Sequence, residues 1–157
     1  MPRVKGTIQT RTLQSPIGPV TVTVEDGAVT GLDFADHGGR DDGPLLKEAE
    51  RQVAAYFAGR LKAFDLPVAL RGTAFQRRVW AAMREIPWGE VASYGGIAMV
   101  VGTGPRAVGN ACGRNPVSLL VPCHRVLASG GGPGGYGATG LGVKRWLLRH
   151  EGRTVPW

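Results

Sequence analysis

The chain carries two thiols, Cys112 and Cys123, and the second stands directly before His124 and Arg125 in the run Val121-Pro122-Cys123-His124-Arg125-Val126. Cysteine acts as a nucleophile through its thiolate, and basic neighbours favour that form. Two cysteines are too few for a disulfide framework, and no paired Cys-x-x-Cys or His-x-x-x-His spacing offers a zinc site. Any role for cysteine is therefore chemical, and the pattern calls for no metal and no cofactor. An arbitrary Cys-His pair is more often a core cysteine beside a surface histidine, so the surroundings must decide.

The charge is informative through its distribution. A net +7 and a pI near 10.1 suit a polyanionic partner, although surplus cations also serve solubility. Through residue 70 there are eight Lys or Arg against nine Asp or Glu, and from residue 71 on there are eleven against three. Ten of those eleven are Arg, which favours phosphate forks and base stacking, so the second half is the candidate nucleic-acid face. Nowhere do about 18 apolar residues follow one another, the length a membrane span requires, and no apolar run follows the basic start. A cytoplasmic protein away from the membrane is expected.

The elements that must position these residues can be read from periodicity. Thr7 to Leu13, then Val20, Val22 and Val24, then Ala28 to Phe34 alternate like strands, with turns at Ser15-Pro16-Ile17-Gly18-Pro19 and Asp26-Gly27. After a loop from His37 to Pro44, the spacing of Leu46, Ala49, Val53 and Tyr56 predicts a helix over Leu45 to Ala58, stopped by Gly59. Residues 1–70 thus read as a small α+β domain, and Leu66-Pro67 with Arg71-Gly72 as its link to a second domain over 71–157.

In that second domain Thr73 can cap a helix carrying Phe75, Val79, Trp80 and Met83, closed by Pro87. Ser93 can cap a short helix ending near Val101, Gly102-Thr103-Gly104 turns the chain, and Pro105 opens a helix through Cys112. Two short helices across a glycine turn form a helix-turn-helix pattern. On the second, Val108 and Cys112 share the inward face, whereas Arg106, Gly109, Asn110 and Gly113 look outward. Val117 to Val121 reads as a strand. Ser129 to Gly140 is too glycine-rich for regular structure, and Leu141 to His150 reads as a basic amphipathic helix.

Pro122 to Val126 resembles the active-site signature of the O6-alkylguanine-DNA alkyltransferases. The resemblance continues in order through Phe75-Gln76, Val79-Trp80, Ile86-Pro87, Gly89-Glu90, Ser93-Tyr94, Arg106-Ala107-Val108-Gly109, Asn115-Pro116, Gly135-Tyr136 and Lys144-Arg145 to Glu151-Gly152. It covers nearly all of residues 72 to 152, and Ser15-Pro16-Ile17-Gly18 and Tyr56-Phe57 resemble the family's amino-terminal domain. It implies an α+β fold: a β-meander plus helix in a ribonuclease-H-like domain, then a mainly helical winged helix-turn-helix domain.

The implied activity is irreversible, stoichiometric transfer of the alkyl group of O6-alkylguanine, and of O4-alkylthymine, from double-stranded DNA to Cys123. A thiolate suits the SN2 displacement, and the carbon–sulfur bond has no route back to thiol. By resemblance, His124 is the base acting through a water, Glu151 orients it, and Asn115 braces the active-site turn. Tyr94 would give a proton to guanine N3 as the base leaves. Tyr136, the Gly137 N–H and the carbonyls of Cys123 and Val126 would line the pocket. Arg106 would fill the gap left by the flipped nucleotide, with Ala107, Gly109, Asn110 and Arg114 along the minor groove. No cofactor and no obligate protein partner are implied.

One departure from the family pattern is the turn before Arg106, about two residues shorter than is common. The competing readings are a non-catalytic alkylated-DNA sensor of the alkyltransferase-like class, against which Cys123 argues, a winged-helix transcription factor, and a Cys-His-Glu hydrolase.

Overall fold

The computed structural model describes residues 7–135 and 140–157. It comprises two compact units, Met1–Arg71 and Gly72–Trp157.

In the first unit, strands β1 (Ile8–Ser15), β2 (Gly18–Glu25) and β3 (Ala28–Asp33) form an antiparallel meander in sequence order. The first turn is tighter than its five-residue sequence signal, because Ser15 pairs directly with Gly18 and leaves only Pro16 and Ile17 at the bend. Asp26 and Gly27 take φ of 52° and 78°, the doubly positive geometry whose twist matches a two-residue hairpin. Helix α1 (Pro44–Phe57) buries Leu46, Ala49, Val53 and Tyr56 and packs on β1 and β2. None of the residues singled out for chemistry lies in this unit.

The second unit is mainly helical. A reciprocal cap starts α2 (Ala74–Arg84): Gln76 N donates to Thr73 Oγ1 and Thr73 N donates to Gln76 Oε1, both at 3.0 Å. Its buried Trp80 donates from Nε1 to the Ala111 carbonyl at 2.8 Å, tying α2 to α4 (Pro105–Gly113). Between them, β4 (Ala92–Ser93) runs into α3 (Tyr94–Val101), capped by Ser93 Oγ on Gly96 N. Gly102 at φ 84° closes α3 in the left-handed conformation, and α4 begins three residues later. The helix-turn-helix therefore forms with the short turn, and Arg106 falls in the first turn of α4.

After a single 3-10 turn at Cys123–Arg125, strand β5 (Val126–Leu127) pairs in parallel with β4, a contact that periodicity could not anticipate. Helix α5 (Leu141–His150) ends the regular structure, and Val155 in the tail packs on Leu127 and Leu148. Among the described residues no helix is long and apolar enough to cross a membrane.

Candidate active site around Cys123

The approach to Cys123 is an irregular buried run, in place of the strand expected over Val117 to Val121. Val117, Leu119, Leu120 and Val121 are all buried, but only an isolated bridge joins Ser118 to Val121, and Leu119 takes φ 74°. That conformation is rare for a branched side chain and breaks any strand. Asn115 holds the bend. Its Oδ1 accepts from Val117 N at 3.0 Å, while Nδ2 donates to the Val121 carbonyl at 2.9 Å and to Cys123 Sγ at 3.3 Å. Cys123 is 7% exposed and heads the 3-10 turn, with its carbonyl accepting from Val126 N.

Behind the thiol lies a buried charge group. His124 Nε2 and Glu151 Oε2 are 2.8 Å apart. Arg125 donates from Nε to Glu151 Oε1 at 2.8 Å, from its second terminal nitrogen to Oε2 at 2.9 Å, and from its first to the Ile86 carbonyl at 2.6 Å. Burial, outweighing the nearby carboxylate, holds His124 below the ordinary histidine range, so the ring is neutral near pH 7. In that tautomer Nε2–H donates to Glu151 and Nδ1 keeps its lone pair. Nδ1 is buried and has no hydrogen-bond partner among the described residues. The Glu151 position at the end of α5, which in sequence resembles a solvated helix end, is thus an interior one at 3% exposure.

Tyr94 heads α3 with its hydroxyl 3.5 Å from the Gly135 carbonyl, and burial raises its phenol above the usual value. Gly134, at φ 63°, lies so close to this ring that an added Cβ would stand 2.6 Å from the Tyr94 hydroxyl, which demands glycine there. Lys144 donates to the carbonyls of Val126 at 2.6 Å, Pro133 at 2.6 Å and Gly135 at 3.2 Å. One of the two carbonyls expected to read the base, Val126, already accepts from Lys144. A carbonyl oxygen has a second lone pair for a further donor. Tyr136 and Gly137 lie outside the described residues.

On α4 the inward pair is Val108 with Ala111, whereas Cys112, expected beside Val108, is only half-buried. Its sulfur lies 3.3 Å from Met83 Sδ, and burial pushes the thiol up to about 12, far from nucleophilic use. Arg106 and Asn110 are exposed, and Gly109, Asn110, Gly113 and Arg114 line one surface depression. Ala107 shares a second with Asn110, Arg114 and the start of α2.

Sequence reasoning assigned no task to Arg125 and Lys144. Lys144 carried a usable signal, since it precedes Leu147 and Leu148 by three and four residues and so shares their apolar face. The pairing of Arg125 with Glu151 spans 26 residues and left no local trace.

Two family models match in tandem: "6-O-methylguanine DNA methyltransferase, ribonuclease-like domain" over residues 8–70, and the "DNA binding domain" of the same family over 74–153. Methylated-DNA–protein-cysteine methyltransferases of Mycolicibacterium paratuberculosis and Methanosarcina acetivorans are 44% and 42% identical. The matches cover 95% and 88% of this chain and 95% of each relative. The crystal structure of Mycobacterium tuberculosis O6-methylguanine methyltransferase superposes with a TM-score of 0.83 at 40% identity, over 96% of this chain and 97% of that one. A structure of the Mycobacterium tuberculosis protein OGT in complex with DNA gives the same score at 42% identity, over 92% and 93%. With both halves matched by the family's models and relatives above 40% identical over nearly the whole chain, the chain belongs to the 6-O-methylguanine DNA methyltransferase family.

Proposed function

We propose that the protein repairs DNA by taking the alkyl group from O6 of guanine onto Cys123, once per molecule. The observation that carries this reading is the buried set behind the thiol: Asn115 Nδ2 on Sγ and the neutral His124 backed by Glu151. The proton of the Cys123 thiol passes through a water to His124 Nδ1, and Glu151 stabilises the imidazolium that results. The thiolate attacks the alkyl carbon from the side opposite O6. A carbon–sulfur bond forms, the carbon–oxygen bond breaks, and its electron pair passes to the guanine. Tyr94 gives its phenolic proton to N3, so the base leaves neutral and the phenol recovers its proton from solvent.

An O6 substituent is hidden in a stacked duplex, so the nucleotide must swing out, at a cost of a few kcal/mol of unstacking. Arg106 in the first turn of α4 fills the vacated place. Ala107, Gly109 and Asn110, with little side-chain bulk, admit the helix to the minor groove, and Arg114 contacts the backbone. The alkyltransferase-like sensor reading is not favoured, because the cysteine it lacks is present here and set among polar groups.

Incubation with a duplex containing O6-methylguanine, followed by intact-protein mass spectrometry and peptide mapping, tests the reading. One methyl per protein, located on Cys123, is expected. Methyl removal beyond a one-to-one ratio, or a methyl on Cys112, would refute it.

A further inference from the structure

The residues after α5 have no part in the transfer steps, yet they are tied into the glycine-rich stretch. Gly152, at φ 89°, closes the helix: its N–H donates to the Arg149 carbonyl at 2.9 Å, and Arg153 N donates to the Leu148 carbonyl at 2.8 Å. That paired closure turns the chain away from the helix axis. Val155 is buried with Leu127 and Leu148, and Trp157 packs against the same cluster. From there Trp157 Nε1 donates to the Gly131 carbonyl at 3.0 Å. Gly131 lies in a tight turn just beyond β5, in which Gly131 N donates to the Ala128 carbonyl at 3.0 Å and Ala128 N to the Gly132 carbonyl at 2.9 Å. Ser129 of this turn lies at the start of α3, where a Cβ added at Gly95 would stand 3.6 Å from its Oγ, and Gly134 lies against Tyr94. The stretch is thus joined on one side to Trp157 and on the other to the phenol that serves the leaving base.

We propose that Trp157 is a positioning residue for alkyl transfer, its indole N–H latching Gly131 so that the stretch from Ala128 to Gly135 stands as a fixed wall of the pocket beside Tyr94. The proposal rests on the alkyl-transfer reading above. Five of the six residues 130–135 are glycine, and glycine loses more backbone freedom on ordering than any other residue. The wall is therefore costly to order, and the loss of one contact shifts its population. A neutral hydrogen bond of this kind moves such an equilibrium by about twofold to tenfold. The partners of Trp157 are Gly131 and the apolar cluster, none of them a member of the Cys123, His124 and Glu151 relay. The latch accordingly bears on the fit of the base and leaves the reactivity of the sulfur alone.

Single-turnover reaction of the whole protein with free O6-benzylguanine probes the pocket without the DNA grip, giving a half-saturating concentration and a limiting rate. Alkylation of Cys123 by iodoacetamide reports on the thiol alone. Hydrogen–deuterium exchange with peptide mass spectrometry reads the opening of residues 128–135, with α2 as the control for global stability. Trp157→Phe keeps a ring on the apolar cluster and removes only the donor. It should raise the half-saturating concentration by about threefold or more and speed exchange over 128–135 by a similar factor, while the iodoacetamide rate and exchange in α2 stay within about twofold. Trp157→Ala, which loses the packing as well, should raise the half-saturating concentration by about tenfold or more. Trp157→Phe decides the matter even if Trp157→Ala does not fold.

An unchanged half-saturation in Trp157→Phe, or exchange over 128–135 that matches the unaltered protein, overturns the proposal. A loss confined to Trp157→Ala therefore makes the indole a packing group and not a latch. Exchange that speeds up equally in α2 and in 128–135 overturns it too, as a general loss of stability. Unaltered protein that accepts no benzyl group would instead sink the alkyl-transfer reading, and the exchange measurement would still report on the latch.

Discussion

Replacing Glu151 by glutamine should separate two tasks that one carboxylate performs together. Glu151 accepts from His124 at 2.8 Å and from two nitrogens of Arg125 at 2.8 and 2.9 Å, with its own side chain 1% exposed. A glutamine offers one oxygen, so its amide nitrogen must face a guanidinium N–H whichever way it turns, donor against donor, and the His124 ring nitrogen as well where it takes the place of Oε2. Arg125, 9% exposed, is then left with a buried charge that lacks its counter-ion. Breaking a buried pair from one side costs about 3–5 kcal/mol. At about 2–4 °C per kcal/mol for a chain of this size, the thermal midpoint should fall by about 6–20 °C. The transfer rate should fall as well, because His124 loses the charge that stabilises its imidazolium, and the pH–rate profile should move to higher pH by about one unit or more.

Adding Arg125→Met to Glu151→Gln tells the two tasks apart. The second change removes the orphaned cation and frees the glutamine oxygen to turn to His124. It leaves the Ile86 carbonyl without its 2.6 Å donor, worth about 1–3 kcal/mol if nothing replaces it. The double variant should therefore be more stable than the sum of the single losses predicts, by about 1–3 kcal/mol of coupling. Its pH–rate profile should stay displaced, since no carboxylate has returned. The assays are thermal unfolding and single-turnover transfer from methylated duplex across pH. A Glu151→Gln profile that overlays that of the unaltered protein would remove Glu151 from the proton relay. Strict additivity of the stability losses would refute the shared carboxylate as their cause.

Tyr94→Phe should slow transfer more than it weakens binding to methylated duplex, because the phenol's proton is needed as the guanine leaves; equal losses in rate and affinity would count against that role. Gly134→Ala should reduce reaction with free O6-benzylguanine by about tenfold or more, since the new methyl would meet the Tyr94 ring and hydroxyl at 2.6 Å; normal kinetics would show that this wall is not fixed. Because burial depresses His124, its stabilising contribution is present above the unfolded value of 6.5 and is lost as the pH falls through the folded one. Its ring should titrate in the folded protein below the ordinary value of 6.5, and a folded-state titration at or above 6.5 would contradict this. Arg106→Ala should slow duplex repair far more than reaction with free O6-benzylguanine if the side chain plugs the stack. An unchanged ratio of the two rates would exclude the plug and turn attention to Asn110 and Arg114.

What the sequence made legible follows from the range over which each signal acts. Caps and stops are local, so Thr73, Ser93 and Pro105 placed their helices within a residue of where they form, and Leu141–His150 needed only its apolar spacing. The run 117–121 misled for the opposite reason. Its apolar residues are all buried, as in a strand, but the backbone is bent by Asn115 and by Leu119 at positive φ, and periodicity registers burial without registering dihedrals. Lys144 and Arg125 enter the sequence reading only in the family motifs and in the cation count of the second half, because charge is counted by type, whereas the environment of each is set by carbonyls and a carboxylate far away in sequence. Residue types thus narrow the reacting groups to a few candidates, since few side chains can serve as nucleophile, base or acid, and the family resemblance chose among them. The groups that hold them in place are mostly backbone oxygens, which every residue carries and no sequence pattern marks, and only the folded chain reveals which of them converge on one lysine.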